Sequence, residues 1–330
     1  MRENDEIQNS ILRIKKMSIL GIDLGGTTFK VSIVDDNGQL QNSLERDTQQ
    51  HDPPEQLIQR LADAAREVAG DQTPDALGIG VPGPIRPDSG VCVFAPNLNG
   101  WTEFPVADLL KEQLGFPVFA INDANAAALG EAHFGAGRDA HSMLMLTLGT
   151  GVGSGIVQQG KLLNGFSGRG AELGHISIKY DAPTGSAGNF GTLESECGRD
   201  AIIGRALRLL ANGSKSIIPE LCNHEFNELT PQHLSEAAEQ NDAVALQVWN
   251  ETAAILAAGI VNTVYTVDVE RVVIGGGISA AGKVLFAPLR RAVLARTSHY
   301  KFDVNQIVPA ELANDAGLIG AAVWARENLR

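Results

Sequence analysis

Two stretches of the chain share one hydropathic pattern: an apolar run, a small or polar step, a knot of glycine and threonine, and a second apolar run. The first is Leu20-Gly21-Ile22-Asp23-Leu24-Gly25-Gly26-Thr27-Thr28-Phe29-Lys30-Val31-Ser32-Ile33-Val34. The second is Met145-Leu146-Thr147-Leu148-Gly149-Thr150-Gly151-Val152-Gly153-Ser154-Gly155-Ile156-Val157. Each predicts a β-hairpin, because the outer residues favour strands and the glycines permit a tight turn with positive φ and uncovered backbone N–H groups. Such a turn receives anionic oxygen, and a pair of them suggests a polyphosphate held from both sides. Neither stretch has the G-x-x-x-x-G-K-S/T of a P-loop. The second runs into a strand, where a dinucleotide fingerprint needs a helix.

The pattern predicts further elements between and beyond the hairpins. A third strand follows the acidic turn Asp35-Asp36-Asn37-Gly38, and a helix then opens at Asp52-Pro53-Pro54 with Asp52 as its cap. Leu57, Ile58, Leu61, Ala65 and Val68 recur at helical spacing, and Gly70 ends the helix. The run Ala76-Leu77-Gly78-Ile79-Gly80-Val81 reads as a buried strand, completing a β-β-β-α-β order. A strand over Val118-Phe119-Ala120-Ile121 delivers Asn122-Asp123-Ala124-Asn125, an alanine-rich helix follows, and the second hairpin starts the order again. Later come a long helix from about Asp242 to Tyr265, the strand Arg271-Val272-Val273-Ile274 emptying into Gly275-Gly276-Gly277, and a C-terminal helix opened by Asp315, whose Trp324 is expected to pack back on the first domain. The expectation is an α/β protein of two related halves with a cleft between them. Residues 17–128 with 315–330 form the smaller domain and 129–314 the larger, while 1–16 are an extension with a short helix around Ile7 to Ile14.

Composition narrows the class. The chain has 330 residues, enough for two cores, and its 44% hydrophobic and 20% charged content is that of a globular protein. Its 26 basic and 39 acidic residues give a net charge of -13, and no basic stripe offers a nucleic-acid surface. No 18-residue apolar run suggests a membrane span. Cys92, Cys197 and Cys222 lack C-x-x-C spacing and read as free thiols of a cytoplasmic protein.

Eight motifs in order resemble the ROK family of sugar kinases and repressors, within the actin/hexokinase/Hsp70 ATPase superfamily. They are Asp23-Leu24-Gly25-Gly26-Thr27, Gly80-Val81-Pro82-Gly83-Pro84, Pro96-Asn97-Leu98-Asn99-Gly100-Trp101, Asn122-Asp123-Ala124-Asn125, Leu148-Gly149-Thr150-Gly151-Val152-Gly153, Glu172-Leu173-Gly174-His175, Ile274-Gly275-Gly276-Gly277 and Asp315-Ala316-Gly317. The resemblance implies two ribonuclease H-like (actin-like ATPase) domains with an interdomain cleft, ATP with Mg²⁺, a hexose substrate and a homodimer. Repressor members carry an N-terminal DNA-binding module, for which the 16 leading residues are too few.

Phosphoryl transfer leaves the protein mainly positioning and charge stabilisation. From position alone Asp123 is a helix cap before it is a catalytic group; the resemblance reverses that order and makes it the base for a sugar 6-hydroxyl. Similarity to the family places Asn97, Asn122 and Asp123 toward carbons 3, 4 and 6, and Glu172, His175 and Glu194 toward the anomeric end. Without it, Glu172 and Glu194 read as surface residues and Trp101 as core. For the nucleotide, Gly25, Gly26, Thr27 and Thr28 in one turn and Gly149, Thr150 and Gly151 in the other would meet the phosphates. Asp23 would hold Mg²⁺ through water. Gly275, Gly276 and Gly277 would let adenine or ribose lie flat, with Asp315 supporting that side, and Lys30 reads as a surface lysine.

One departure from the family stands out. Many ROK proteins carry a zinc site, a histidine followed by C-x-C-G-x-x-G-C-x-E. Here Gly185, Ala187 and Thr192 stand at the three cysteine positions, and Cys197 is out of register. No zinc is expected, because one thiolate and one imidazole cannot close a tetrahedral site. The loop bearing Glu194 must then be held by packing and hydrogen bonds. Alternatives that stay open are a non-catalytic sugar sensor, a kinase for N-acetylhexosamine, mannose, fructose or allose, and a kinase for a non-sugar acid.

Overall fold

The computed structural model describes residues 17–329, so the expected helix around Ile7 to Ile14 lies outside the described residues. The chain forms two compact units, one ending at Asp123 and regaining the chain at Ala321, the other running from Ala124 to Gly320.

The first unit is built on β1 (Ile19–Leu24), β2 (Thr28–Val34), β3 (Leu40–Asp47), α1 (Pro54–Ala69), β4 (Ala76–Val81), β5 (Cys92–Phe94), β6 (Thr102–Phe104), α2 (Val106–Leu114) and β7 (Val118–Asn122). Its main sheet has the order β3-β2-β1-β4-β7. The β1–β2 hairpin pairs antiparallel, and β1, β4 and β7 run parallel. Both β1 and β4 are almost wholly buried, the signature of parallel strands covered on two faces. Leu57, Leu61 and Val68 of α1 and Leu110 of α2 join the core of this sheet, and Trp101 stacks on Phe104 inside it at 4.6 Å.

Asp52 does not cap α1, as the sequence suggested. The N-cap is Pro53, with no side-chain cap bond, and Asp52 instead pairs with Arg60 at 2.9 Å. Consecutive prolines explain this: Pro54 enters the first turn with its φ already fixed and no N–H needing a partner.

The second unit begins within α3 (Asp123–Phe134) and continues with β8 (Ser142–Leu148), β9 (Val152–Gln158), β10 (Lys161–Leu162), α4 (Leu193–Cys197), α5 (Arg199–Ala211), α6 (Ile218–Leu221), α7 (Pro231–Glu239), α8 (Ala243–Val267), β11 (Arg271–Gly275), α9 (Lys283–Arg296), β12 (Ile307–Pro309) and the start of α10 (Ala316–Asn328). Its sheet has the order β10-β9-β8-β11-β12. Again an antiparallel hairpin supplies one side and parallel strands the other, so the second unit repeats the strand arrangement of the first. The 25-residue α8 is apolar because it is a core helix: Val248, Trp249, Leu256 and Ile260 are all but inaccessible to solvent.

Glycines set how α3 and α10 pack. A Cβ on Gly320 would lie 1.6 Å from the Ala126 carbonyl oxygen, and one on Gly130 would lie 2.3 Å from that of Ala316, so the helices cross backbone against backbone. Further along, a Cβ on Gly78 of β4 would lie 1.8 Å from the carbonyl oxygen of Ala321, and Trp324 Nε1 donates to Ala120 O at 3.0 Å. The C-terminal helix therefore does pack on the first sheet.

Buried Glu131 fixes the end of α3. Its carboxylate accepts the N–H groups of Ala136, Glu311 and Leu312 at 2.7, 3.1 and 2.7 Å, tying the helix end to the segment that leads into α10. Each such bond to a charged acceptor is worth roughly 1.5–3 kcal/mol. The three cysteines are buried and free; burial pushes the Cys92 thiol up to about 11 and that of Cys197 to about 12, which leaves both inert.

Candidate active site

In the first hairpin, Gly25 N–H donates to Thr28 O at 3.0 Å and closes the turn. The turn does not use positive φ: neither Gly25 nor Gly26 adopts it, and the same holds for Gly149 and Gly151 in the second turn. Glycine is needed there for closeness. A Cβ on Gly25 would stand 2.8 Å from Thr28 O, and one on Gly26 would stand 3.2 Å from the Gln50 side chain and 3.4 Å from Asn97 Cβ.

Every carbonyl of this turn is bound. Thr48, wholly buried after β3, donates its hydroxyl to Gly25 O at 2.8 Å and its N–H to Thr27 O at 2.7 Å. With its amide oriented to donate, Gln50 reaches Gly26 O at 2.8 Å and Asn97 O at 3.1 Å. The Gly26 and Thr27 N–H groups donate to none of the described backbone partners. An oxygen-poor surface with free donors suits a phosphate. Asp23, next to last in β1, is half-buried and directly across the hairpin from Lys30, which is also half-buried.

Asn122 is the last residue of β7 and Asp123 the first of α3. The Asn122 amide donates to Asp123 Oδ1 at 3.0 Å and to Gly83 O at 3.2 Å, so it anchors the carboxylate to the Gly80–Pro84 motif. Gly83 earns its place by conformation: φ is +120°, and a Cβ would lie 2.1 Å from Phe94 O. In this unit the structure thus brings Asn97 beside the Gly25–Thr28 turn, and Asn122 beside Asp123.

The second hairpin has the same spelling and different support. Gly149 N–H donates to Gly151 O at 3.0 Å, and Gly149 O accepts the Arg199 N–H, also at 3.0 Å, at the start of α5. A Cβ on Gly151 would sit 2.2 Å from Glu194 Oε2, whereas one on Gly149 would meet nothing within 4 Å. Gly153 and Gly155 serve packing: their Cβ atoms would fall 2.9 Å from Ala124 Cβ and 2.7 Å from Ala128 Cβ on α3. Close by, Gly276 has φ +79° with its Cβ position 2.3 Å from Leu148 O, which sets the glycine triplet against the start of this turn. Gly277 has open space where a side chain would be.

Glu172 and His175 lie on one tight turn, closed by His175 N–H donating to Glu172 O at 3.1 Å. That turn is pinned to β9. Buried Ser154 donates its hydroxyl to Ala171 O at 2.6 Å and accepts the Leu173 N–H at 2.8 Å, and a Cβ on Gly174 would be 2.0 Å from Val152 O. His175 Nδ1 is buried and has no hydrogen-bond partner. Glu194, in the first turn of α4, accepts Val152 N–H at 3.2 Å through Oε2 and the Ser186 hydroxyl at 2.5 Å through Oε1. Asp315 is half-buried in a single 3-10 turn just before α10. Thr48, Gln50, Ser154 and Ser186 escaped sequence reasoning, since each is an ordinary polar residue whose role appears only once the chain has folded.

The 175–194 segment does not fit a metal. Gly185 has no side chain, and the Thr192 hydroxyl lies 2.5 Å from where its Cβ would be; that hydroxyl accepts the Ser195 N–H at 3.1 Å as the cap of α4. Among the described residues, no group of three or more His, Cys, Asp or Glu side chains is placed to hold an ion.

The ROK family profile matches residues 19–328. The chain belongs to the ROK family. It is 37% identical over 318 residues to a glucokinase of Thermotoga maritima, covering 95% of this chain and 99% of that one. A glucokinase of Halalkalibacterium halodurans is 36% identical over 310 residues, with 91% and 92% coverage. Among solved structures, a ROK family glucokinase of Streptomyces griseus in complex with glucose and AMPPNP superposes with a TM-score of 0.80 at 31% identity, covering 94% of this chain and 99% of that one. The repeated sheets described above are thus those of an actin-like ATPase fold sugar kinase.

Proposed function

We propose that this ROK protein transfers the γ-phosphoryl group of ATP to the 6-hydroxyl of a hexose, with glucose preferred and Asp123 as the base. Its place among ATP-dependent sugar kinases rests on the glucokinase relatives and on the neighbour solved with glucose and AMPPNP. The observation that carries the sugar reading is the placement of Glu172 and His175 on one tight turn that Ser154 pins to β9. A carboxylate and an imidazole three residues apart on a fixed turn suit the neighbouring hydroxyls of one sugar ring.

In this reading Glu172, His175 and Glu194 receive the anomeric end, and Asn97 and Asn122 the hydroxyls nearer carbons 3 and 4. Asp123, its Oδ1 fixed by Asn122, accepts the proton of the 6-hydroxyl as that oxygen bonds to the γ-phosphorus and the bond to the bridging oxygen of ADP breaks. The N–H groups of Gly26 and Thr27 donate to phosphate oxygens, and the Gly149–Gly151 turn has the same role. Gly277 and its neighbours accommodate the nucleoside. Asp23 would hold Mg²⁺ through water, as an ion that keeps most of its hydration shell requires. When bound, Mg²⁺ neutralises charge on the phosphates.

A panel of glucose, mannose, fructose, allose, N-acetylglucosamine and N-acetylmannosamine in a coupled ADP-release assay tests this. The highest kcat/KM is expected for glucose. Sugar binding without ADP release from any of the six would overturn the catalytic reading.

A further inference from the structure

The departure from the metal motif leaves open what holds Glu194 and His175 in one place. We propose that Asn189 is the positioning residue that replaces a metal in this segment, clamping the turn that carries His175 to the loop that leads into the helix bearing Glu194. This rests on the sugar-binding reading of His175 and Glu194 given above.

The Asn189 side chain uses both ends. Its Nδ2 donates to the carbonyl oxygen of His175 at 2.9 Å. Its Oδ1 accepts the Phe190 N–H at 2.9 Å and lies 3.1 Å from the Ser177 hydroxyl. Its own carbonyl accepts the Gly185 N–H at 2.6 Å, closing the loop between the former cysteine positions. The side-chain amide thereby joins residues 175, 177 and 190 and the main-chain carbonyl adds 185, much as a metal would join several chain segments through its ligands.

Backbone bonds extend the clamp in both directions. Leu193 N–H donates to Ile176 O at 3.0 Å and Ile178 N–H to Gly191 O at 2.8 Å, so the two segments are zipped up to the residue before Glu194. On the far side, Ser186, next to Gly185, donates to Glu194 itself. Asn189 is solvent-exposed and touches neither proposed sugar ligand with its own side chain except through the His175 main chain. An exposed asparagine that only stabilised its loop would leave substrate affinity unchanged when removed. A clamp would not, because His175 and Glu194 must stay registered to meet adjacent hydroxyls of one ring.

Asn189→Ala and Ser177→Ala, with the parent, are compared for the KM of glucose, the KM of ATP, kcat and the thermal unfolding midpoint. For Asn189→Ala the expected result is a glucose KM raised about tenfold, the effect of losing a well-made polar contact at the site, with the ATP KM within about twofold. Ser177→Ala, which removes one partner of Asn189, should move the glucose KM in the same direction by a smaller factor, and it supplies the reading if Asn189→Ala does not fold. Treating the parent with a strong chelator, removing the chelator and assaying with Mg²⁺ restored should leave its glucose KM unchanged. A glucose KM within twofold of the parent in the folded variants, or an equal rise in both KM values, overturns the clamp while leaving the kinase reading intact. A parent that phosphorylates no sugar overturns the reading on which the clamp rests.

Discussion

The two glycine-threonine turns are spelled alike and supported differently. In the first, the carbonyls of Gly25, Gly26 and Thr27 are all bound from behind by Thr48 and Gln50, residues that follow β3 and belong to no motif. In the second, support comes from the α4–α5 junction, where Arg199 N–H meets Gly149 O and the Glu194 carboxylate presses against Gly151. The first turn is therefore set by a scaffold of neutral hydrogen bonds. The second leans on a residue that also belongs to the proposed sugar site. A repeated motif points to a shared task, in the proposed reaction donors for phosphate, without reporting what else each copy is coupled to.

That contrast can be broken most forcefully at Gly151. The new Cβ of Gly151→Ala would fall 2.2 Å from Glu194 Oε2, so the carboxylate must move. A displacement of that size at a binding group costs about 100-fold, and kcat/KM should fall by that order for glucose as well as for ATP. If only ATP suffered, the coupling of the second turn to the sugar would be wrong. Thr48→Val tests the first turn by removing the hydroxyl from Gly25 O while keeping shape and backbone bond. The ATP KM should rise about tenfold, with a stability loss of about 1 kcal/mol in urea unfolding, and the glucose KM should change less. The smallest effect belongs to Gly149→Ala, which has open space and no positive φ. Activity within about twofold of the parent is expected, with stability unchanged or raised by up to about 1 kcal/mol. A large loss there would mean that bound nucleotide fills the open space beside Gly149.

Strong periodicity made much of the fold legible. Both hairpins, α1, β4, the long α8 and the strand before the glycine triplet stand where their apolar spacing put them. The repeated sheet order follows from the β-β-β-α-β pattern read twice along the chain. Glycine was misread in one respect. Its presence in both turns suggested positive φ, but there it answers to crowding by Thr28 O, Gln50 and Glu194, which no local pattern announces. Asp52 looked like a cap because it precedes the prolines, yet a helix entered through Pro53-Pro54 has fewer donors to cap, and Arg60 took the carboxylate.

The supporting residues were illegible for a different reason. Glu131 sits in a helix where a glutamate normally meets solvent, and only the return of residues 311 and 312 to its carboxylate explains its complete burial. Asn189 is one polar residue in a glycine-rich loop, and its four partners are spread from residue 175 to residue 190. Spacing carries information about faces of helices and strands; it carries little about which carbonyl a loop amide will find.

In the proposed reaction Asp123 takes the proton of the sugar hydroxyl. Steady-state ADP release by Asp123→Ala, at saturating glucose and ATP and with ATP binding measured on the same preparation, addresses it directly. The kcat should fall by about 10³-fold, within the range general-base removal produces, with nucleotide affinity close to that of the parent. A kcat within tenfold of the parent would contradict it.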